Sequence, residues 1–131
     1  MNKEDKELLL RDLCNRLPYN VMCQVEFKED GKDNSKVMLL SGIFTDEAYF
    51  TTKGGSIYSN EYKPYLFPLS SMTEEEQRTL DSMCNGVEMV SRLSGLKMFD
   101  KAFNWLNENH FDYRGLIEKG LAIDATGLNI Y

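Results

Sequence analysis

The run Val21-Met22-Cys23-Gln24-Val25-Glu26-Phe27 sets Val21, Cys23, Val25 and Phe27 against Met22, Gln24 and Glu26. That two-residue period is the signature of a strand with one buried face and Gln24 and Glu26 on the other. The polar loop Glu29-Asp30-Gly31-Lys32-Asp33-Asn34-Ser35 follows, and then a second apolar run from Val37 to Phe44. A turn-forming loop between two such runs predicts a hairpin. Ala48 to Thr52 and Ser56 to Tyr58, around Lys53-Gly54-Gly55, predict a second one. The middle of the chain therefore reads as a small antiparallel sheet of three to four strands, able to curl into a small barrel.

Upstream, Leu9, Leu10, Leu13 and Leu17 recur at helical spacing behind an acidic first turn, and Pro18 ends the pattern. Downstream, Tyr62-Lys63-Pro64-Tyr65-Leu66-Phe67-Pro68-Leu69 carries two prolines that hold their predecessors extended, so it reads as an ordered connector packed on the body. Thr73-Glu74-Glu75-Glu76 is a capping box that starts a helix, with Ser70-Ser71 before it serving helix initiation. Leu80, Met83, Cys84, Val87 and Val90 keep helical spacing through Asn85-Gly86, a pair that either continues the helix or ends it. Phe99, Ala102, Phe103 and Leu106 form the apolar face of a further helix, widened by Trp105. Asp112 is placed to cap a short helix through Leu116 and Ile117 that stops at Gly120. The expected fold is α+β: an N-terminal helix, the small sheet and a C-terminal group of helices, in one domain over residues 1–131.

Composition bounds the function. The chain is 42% hydrophobic and 27% charged, close to the globular average and sufficient for a packed core. A formal charge of −6 opposes binding to a phosphate backbone, so nucleic acid is not an expected partner. The acidic groups Glu4-Asp5-Glu7, Glu29-Asp30 and Glu74-Glu75-Glu76 are separated, as solvated helix starts and turns are. No apolar run approaches membrane length and residues 1–17 lack a signal-peptide pattern, so neither a membrane partner nor export is expected. Cys14, Cys23 and Cys84 have no CxxC pairing and read as small buried hydrophobes in a reducing cytoplasm.

Few residues carry candidate chemistry. His110 is the only histidine, and with Asp112 and Arg114 it places an imidazole, a carboxylate and a guanidinium within five residues. One reading makes Asp112 orient His110 for proton transfer while Arg114 holds an anion. The other makes the segment a helix junction, with Asp112 as a cap and Phe111 and Tyr113 packed inward. No nucleophile elbow accompanies His110. A lone histidine, and the spacing of Asp30-Gly31-Lys32-Asp33-Asn34, give no metal site. Lys53-Gly54-Gly55-Ser56 is a turn rather than a phosphate cradle, and no cofactor is expected. Tyr58, Tyr62, Tyr65, Phe67, Phe99, Phe103, Trp105, Phe111 and Tyr113 read as core; any of Tyr62, Tyr65 or Phe67 left exposed would mark a partner-binding patch.

Three stretches carry a resemblance: Asp12-Leu13-Cys14-Asn15-Arg16-Leu17-Pro18-Tyr19; Lys63 through Glu75; and Trp105-Leu106-Asn107 on through His110 to Ala122. Together, over about a third of the chain, they resemble a family of small uncharacterised proteins encoded in gut Bacteroidales genomes and their phages or mobile elements. The resemblance implies a bacterial or phage origin and a cytoplasmic setting, and carries no activity with it. The function expected is a non-enzymatic phage or mobile-element accessory protein that binds another protein or itself. Two alternatives stand beside it: a small enzyme or ligand-binding domain centred on His110, Asp112 and Arg114, and an acidic anti-defence or DNA-mimic protein.

Overall fold

The structure, a computed structural model, describes residues 2–44, 47–84 and 92–131. The chain runs helix α1 (Lys3–Arg16), a 3-10 turn (Leu17–Tyr19), strands β1 (Met22–Glu29), β2 (Lys32–Ile43), β3 (Ala48–Thr52), β4 (Gly55–Ser59) and β5 (Tyr62–Pro68), a second 3-10 turn (Leu69–Ser71), helices α2 (Glu74–Cys84) and α3 (Arg92–Glu108), and two short strands, β6 (Phe111–Asp112) and β7 (Ile123–Asp124). Helix α1 is opened by the Asn2 side chain, which accepts the Asp5 N–H at 2.8 Å. The capping box at α2 is reciprocal: Thr73 N–H donates to Glu76 Oε1 at 3.0 Å, and Glu76 N–H to Thr73 Oγ1 at 3.1 Å. Whether that helix passes Gly86 lies outside the described residues, as do Val87 and Val90.

The two predicted hairpins are present. β1 pairs β2 around Asp30-Gly31, both at positive φ, and β3 pairs β4 around Lys53-Gly54. The sheet is larger than three or four antiparallel strands, however. It is mixed, in the order β4-β3-β2-β1-β5-β6 with β7 also on β5, and it is not closed into a barrel. The extra strands come from the segment read as a connector. Tyr62–Pro68 is itself a strand, antiparallel to β1 at Tyr62–Pro64 and parallel to β7 and then β6 beyond it. Proline lacks one ladder donor, and β6 and β7, at two residues each, are too short to show a period. The expected helix from Asp112 to Gly120 is a series of turns, with Gly120 at φ 73° closing it.

Val21, Cys23, Val25, Met38, Leu40, Ala48, Phe50 and Leu66 form the buried face of the sheet, and Leu9 and Leu13 of α1 cover it together with Leu116, Leu121 and Ala122. A bulge between Leu40 and Gly42 curls the sheet. The curl is tight enough that Ser59, ending β4, donates from Oγ to the Glu26 carbonyl of β1 at 2.7 Å. No helix among the described residues is long and apolar enough to cross a membrane.

Candidate functional site

The buried polar groups converge where α1 meets the segment after α3. Asp12 and Arg16 lie on the same α1 face as Leu9 and Leu13, at i, i+3, i+4 and i+7, and both are fully buried. Arg16 Nε donates to Asp12 Oδ2 at 2.7 Å, Nη2 to Oδ1 at 3.2 Å, and Nη2 also to the Phe111 carbonyl at 2.6 Å. Arg114 Nε stands 3.2 Å from Asp12 Oδ1, a charge contact without hydrogen-bond alignment. Both guanidinium groups stand over the Tyr113 ring, that of Arg16 at 5.2 Å and that of Arg114 at 5.1 Å from its centroid. The Tyr113 hydroxyl donates to Asn107 Oδ1 at 2.9 Å. Two cations thus share one buried carboxylate, with an aromatic face and a backbone carbonyl beside them, while Arg16 Nη1 is left buried without a hydrogen-bond partner among the described residues.

The predicted trio does not assemble. Asp112 turns both carboxylate oxygens to backbone, accepting Leu116 N–H at 2.9 Å and Ile117 N–H at 3.0 Å. Arg114 goes to Asp12. His110 sits at φ 62° and packs flat on Tyr131, with ring centroids 3.6 Å apart and planes 12° from parallel. Its Nδ1 is buried without a hydrogen-bond partner among the described residues. Burial first, and then the Arg16 charge, lower the imidazole to about 4, so it is neutral near pH 7. A recess of about 310 Å³ beside it is lined by Phe67, Ser71, Glu76, Glu108 and Tyr131 among others. A neutral ring with no carboxylate bonded to it can fill space and accept one hydrogen bond, but nothing fixes its tautomer for acid–base work.

Tyr131 ties the neighbourhood together. Its hydroxyl accepts Met22 N–H at 2.9 Å and donates to the Tyr65 carbonyl at 2.7 Å, bridging β1 and β5 where they part. Burial raises its pKa, as it does that of the Cys23 thiol. Cys14 and Cys84, expected in the core, are exposed.

The aromatics proposed as a binding patch are not exposed: Tyr65 is buried, while Tyr62 and Phe67 are half-buried against Phe50 and Phe111 respectively. The exposed rings lie elsewhere. Phe44 and Tyr58, 54% and 56% exposed, pack 5.7 Å apart, and Tyr49 lies 4.9 Å from Tyr58 on the outer face of β3 and β4. The sequence does hold a signal for this: Tyr49 alternates with the buried Ala48 and Phe50. Phe99 and Phe103, expected inside, are also exposed. Among the described residues no group of three or more His, Cys, Asp or Glu side chains could hold a metal ion. No family model, curated protein or solved structure matches the chain.

Proposed function

We propose that the chain is a non-enzymatic accessory protein of a bacteriophage or mobile element that works in the cytoplasm of a bacterial host by binding another protein or itself. The observation that carries this reading is the outward cluster of Phe44, Tyr49 and Tyr58. Rings packed at a tilt against one another on a sheet surface cost solvation unless something covers them, and such rings are the usual anchors of protein interfaces. The diversion of Asp112 and Arg114 to internal contacts supports it, because the strongest chemical candidates are occupied in holding the fold. The motif resemblance supports the setting. Light scattering after size exclusion, together with affinity capture from a native host, tests the proposal. A self-associated species or a specific captured protein is expected, and Phe44→Ser with Tyr58→Ser should abolish it while leaving the circular dichroism unchanged. A strict monomer that captures nothing would sink the idea.

The recess beside His110 favours a second reading, a small ligand-binding or enzymatic domain. It predicts a thermal shift with some small metabolite that disappears in His110→Asn, a residue suited to the positive φ.

A further inference from the structure

Because the sheet curls without closing, β4 and the far half of β1 face each other across an open cleft of about 670 Å³. One end of the cleft is shut: Ser59 Oγ donates to the Glu26 carbonyl, and Glu26 N–H donates to the Glu61 carbonyl at 2.9 Å. Toward the hairpin tips it is open. Thr52 and Gly55 flank a two-residue turn, the position where paired residues exchange both hydrogen bonds. By alternation Gly55, Ile57 and Ser59 bond to β3, so Ser56 and Tyr58 turn their N–H and C=O groups to the unpaired edge. The same rule applied to Glu29 and Lys32 turns the Lys28 backbone toward the cleft from the other side.

Among the described residues this edge carries little of the usual protection beyond its closed end. β4 reads Gly55-Ser56-Ile57-Tyr58-Ser59, without lysine, proline or bulge. The two sides of the cleft differ in chemistry. Phe27 and Ile57 lie toward the sheet's apolar face, half-buried, while the exposed Glu26, Asp33, Glu47 and Glu61 rim it against a single Lys28. Tyr58 stands exposed beside them.

The geometry points to β-strand addition at this cleft, with an extended segment of a partner protein that alternates apolar and basic residues. Its backbone pairs with Ser56 and Tyr58, its apolar side chains meet Phe27 and Ile57, and its Lys or Arg side chains meet the carboxylate rim and the Tyr58 ring. The charge of the rim selects this occupant over a second copy of the chain, which carries a net charge of −6. The inference rests on the protein being a binding module, and names the surface and the partner chemistry.

The test uses the full chain and a fluorescent peptide of about ten residues, strand length, alternating Lys and Val. Expected are new hydrogen-exchange protection at the Ser56 and Tyr58 amides and a Kd about tenfold tighter than that of an acidic control peptide of the same length alternating Glu and Val. Binding should be lost when the peptide is N-methylated at alternate residues and weakened about fivefold in Glu47→Gln with Glu61→Gln. Equal binding of the acidic or N-methylated peptide, or protection elsewhere, would overturn the inference. Protection of Ser56 and Tyr58 that rises with protein concentration alone would overturn it in favour of self-pairing. A partner captured from the host equally by wild type and the double Gln variant, without protection of β4, leaves the binding role standing and removes this cleft from it.

Discussion

Two regions of this molecule concentrate charge, and they treat it in opposite ways. At the junction of α1 with the segment after α3, Asp12, Arg16, Arg114 and Tyr113 are packed on one another, with both Asp12 oxygens engaged by guanidinium groups while Arg16 Nη1 and Arg114 Nε are buried without a hydrogen bond among the described residues. Across the cleft between β4 and β1, carboxylates and backbone groups face water. The conspicuous aspartate and arginine are held by internal contacts in or beside the first region, and the histidine lies next to it against Tyr131 at the edge of a recess. Chemical variety in the sequence thus falls largely on internal contacts here, while the surface proposed for recognition is built from plain strand residues.

The contrast can be broken most severely at Asp12. Asp12→Ala leaves the buried Arg16 without its carboxylate and should cost about 3–5 kcal/mol in urea unfolding. A loss below about 1 kcal/mol would mean that water reaches the cluster as it reaches the cleft.

Acidity probes the same region. The unfolded His110 titrates near its ordinary 6.5 and the folded one at about 4, so between those values the unfolded chain binds the proton and the folded chain does not. This group's contribution therefore lowers stability as pH falls from 6.5 toward 4 and levels off below. In His110→Asn that component should vanish from a pH series of denaturation midpoints. Tyr131→Phe keeps the stack on His110 but removes the bridge between Met22 and Tyr65, with an expected loss of about 1 kcal/mol by thermal melt. Tyr58→Ser, in the open region, should change stability by no more than about 0.5 kcal/mol in the same melt.

Much of the fold was legible because its signals are local. The alternation from Val21 to Phe27, the turn residues Asp30-Gly31 and Lys53-Gly54, and the Thr73–Glu76 box each act within a few residues of themselves. β5 was hidden because Pro64 argues against a strand, although Pro64 lies in register with Cys23. β6 and β7 exist only through tertiary pairing with β5. The site was legible in part. The segment from His110 to Arg114 is indeed where polar groups gather, but its partners, Asp12 and Arg16, sit nearly a hundred residues away, and charged residues on a helix ordinarily read as solvated. Their spacing with Leu9 and Leu13 was the available clue. Phe44, Tyr49 and Tyr58 were missed because aromatic content alone cannot say which side of a sheet a ring takes.

The Tyr131 hydroxyl joins positions 109 residues apart, and Arg16 reaches Phe111 across 95. Contacts of such span form only after the intervening chain has found its place, since closing a long loop early gives up chain entropy before the sheet exists to reward it. Helix α1 and the two hairpins can assemble first from near neighbours, and the C-terminal segment then clasps them. Weakening that clasp should show itself in how fast the native state opens rather than in how fast it is reached.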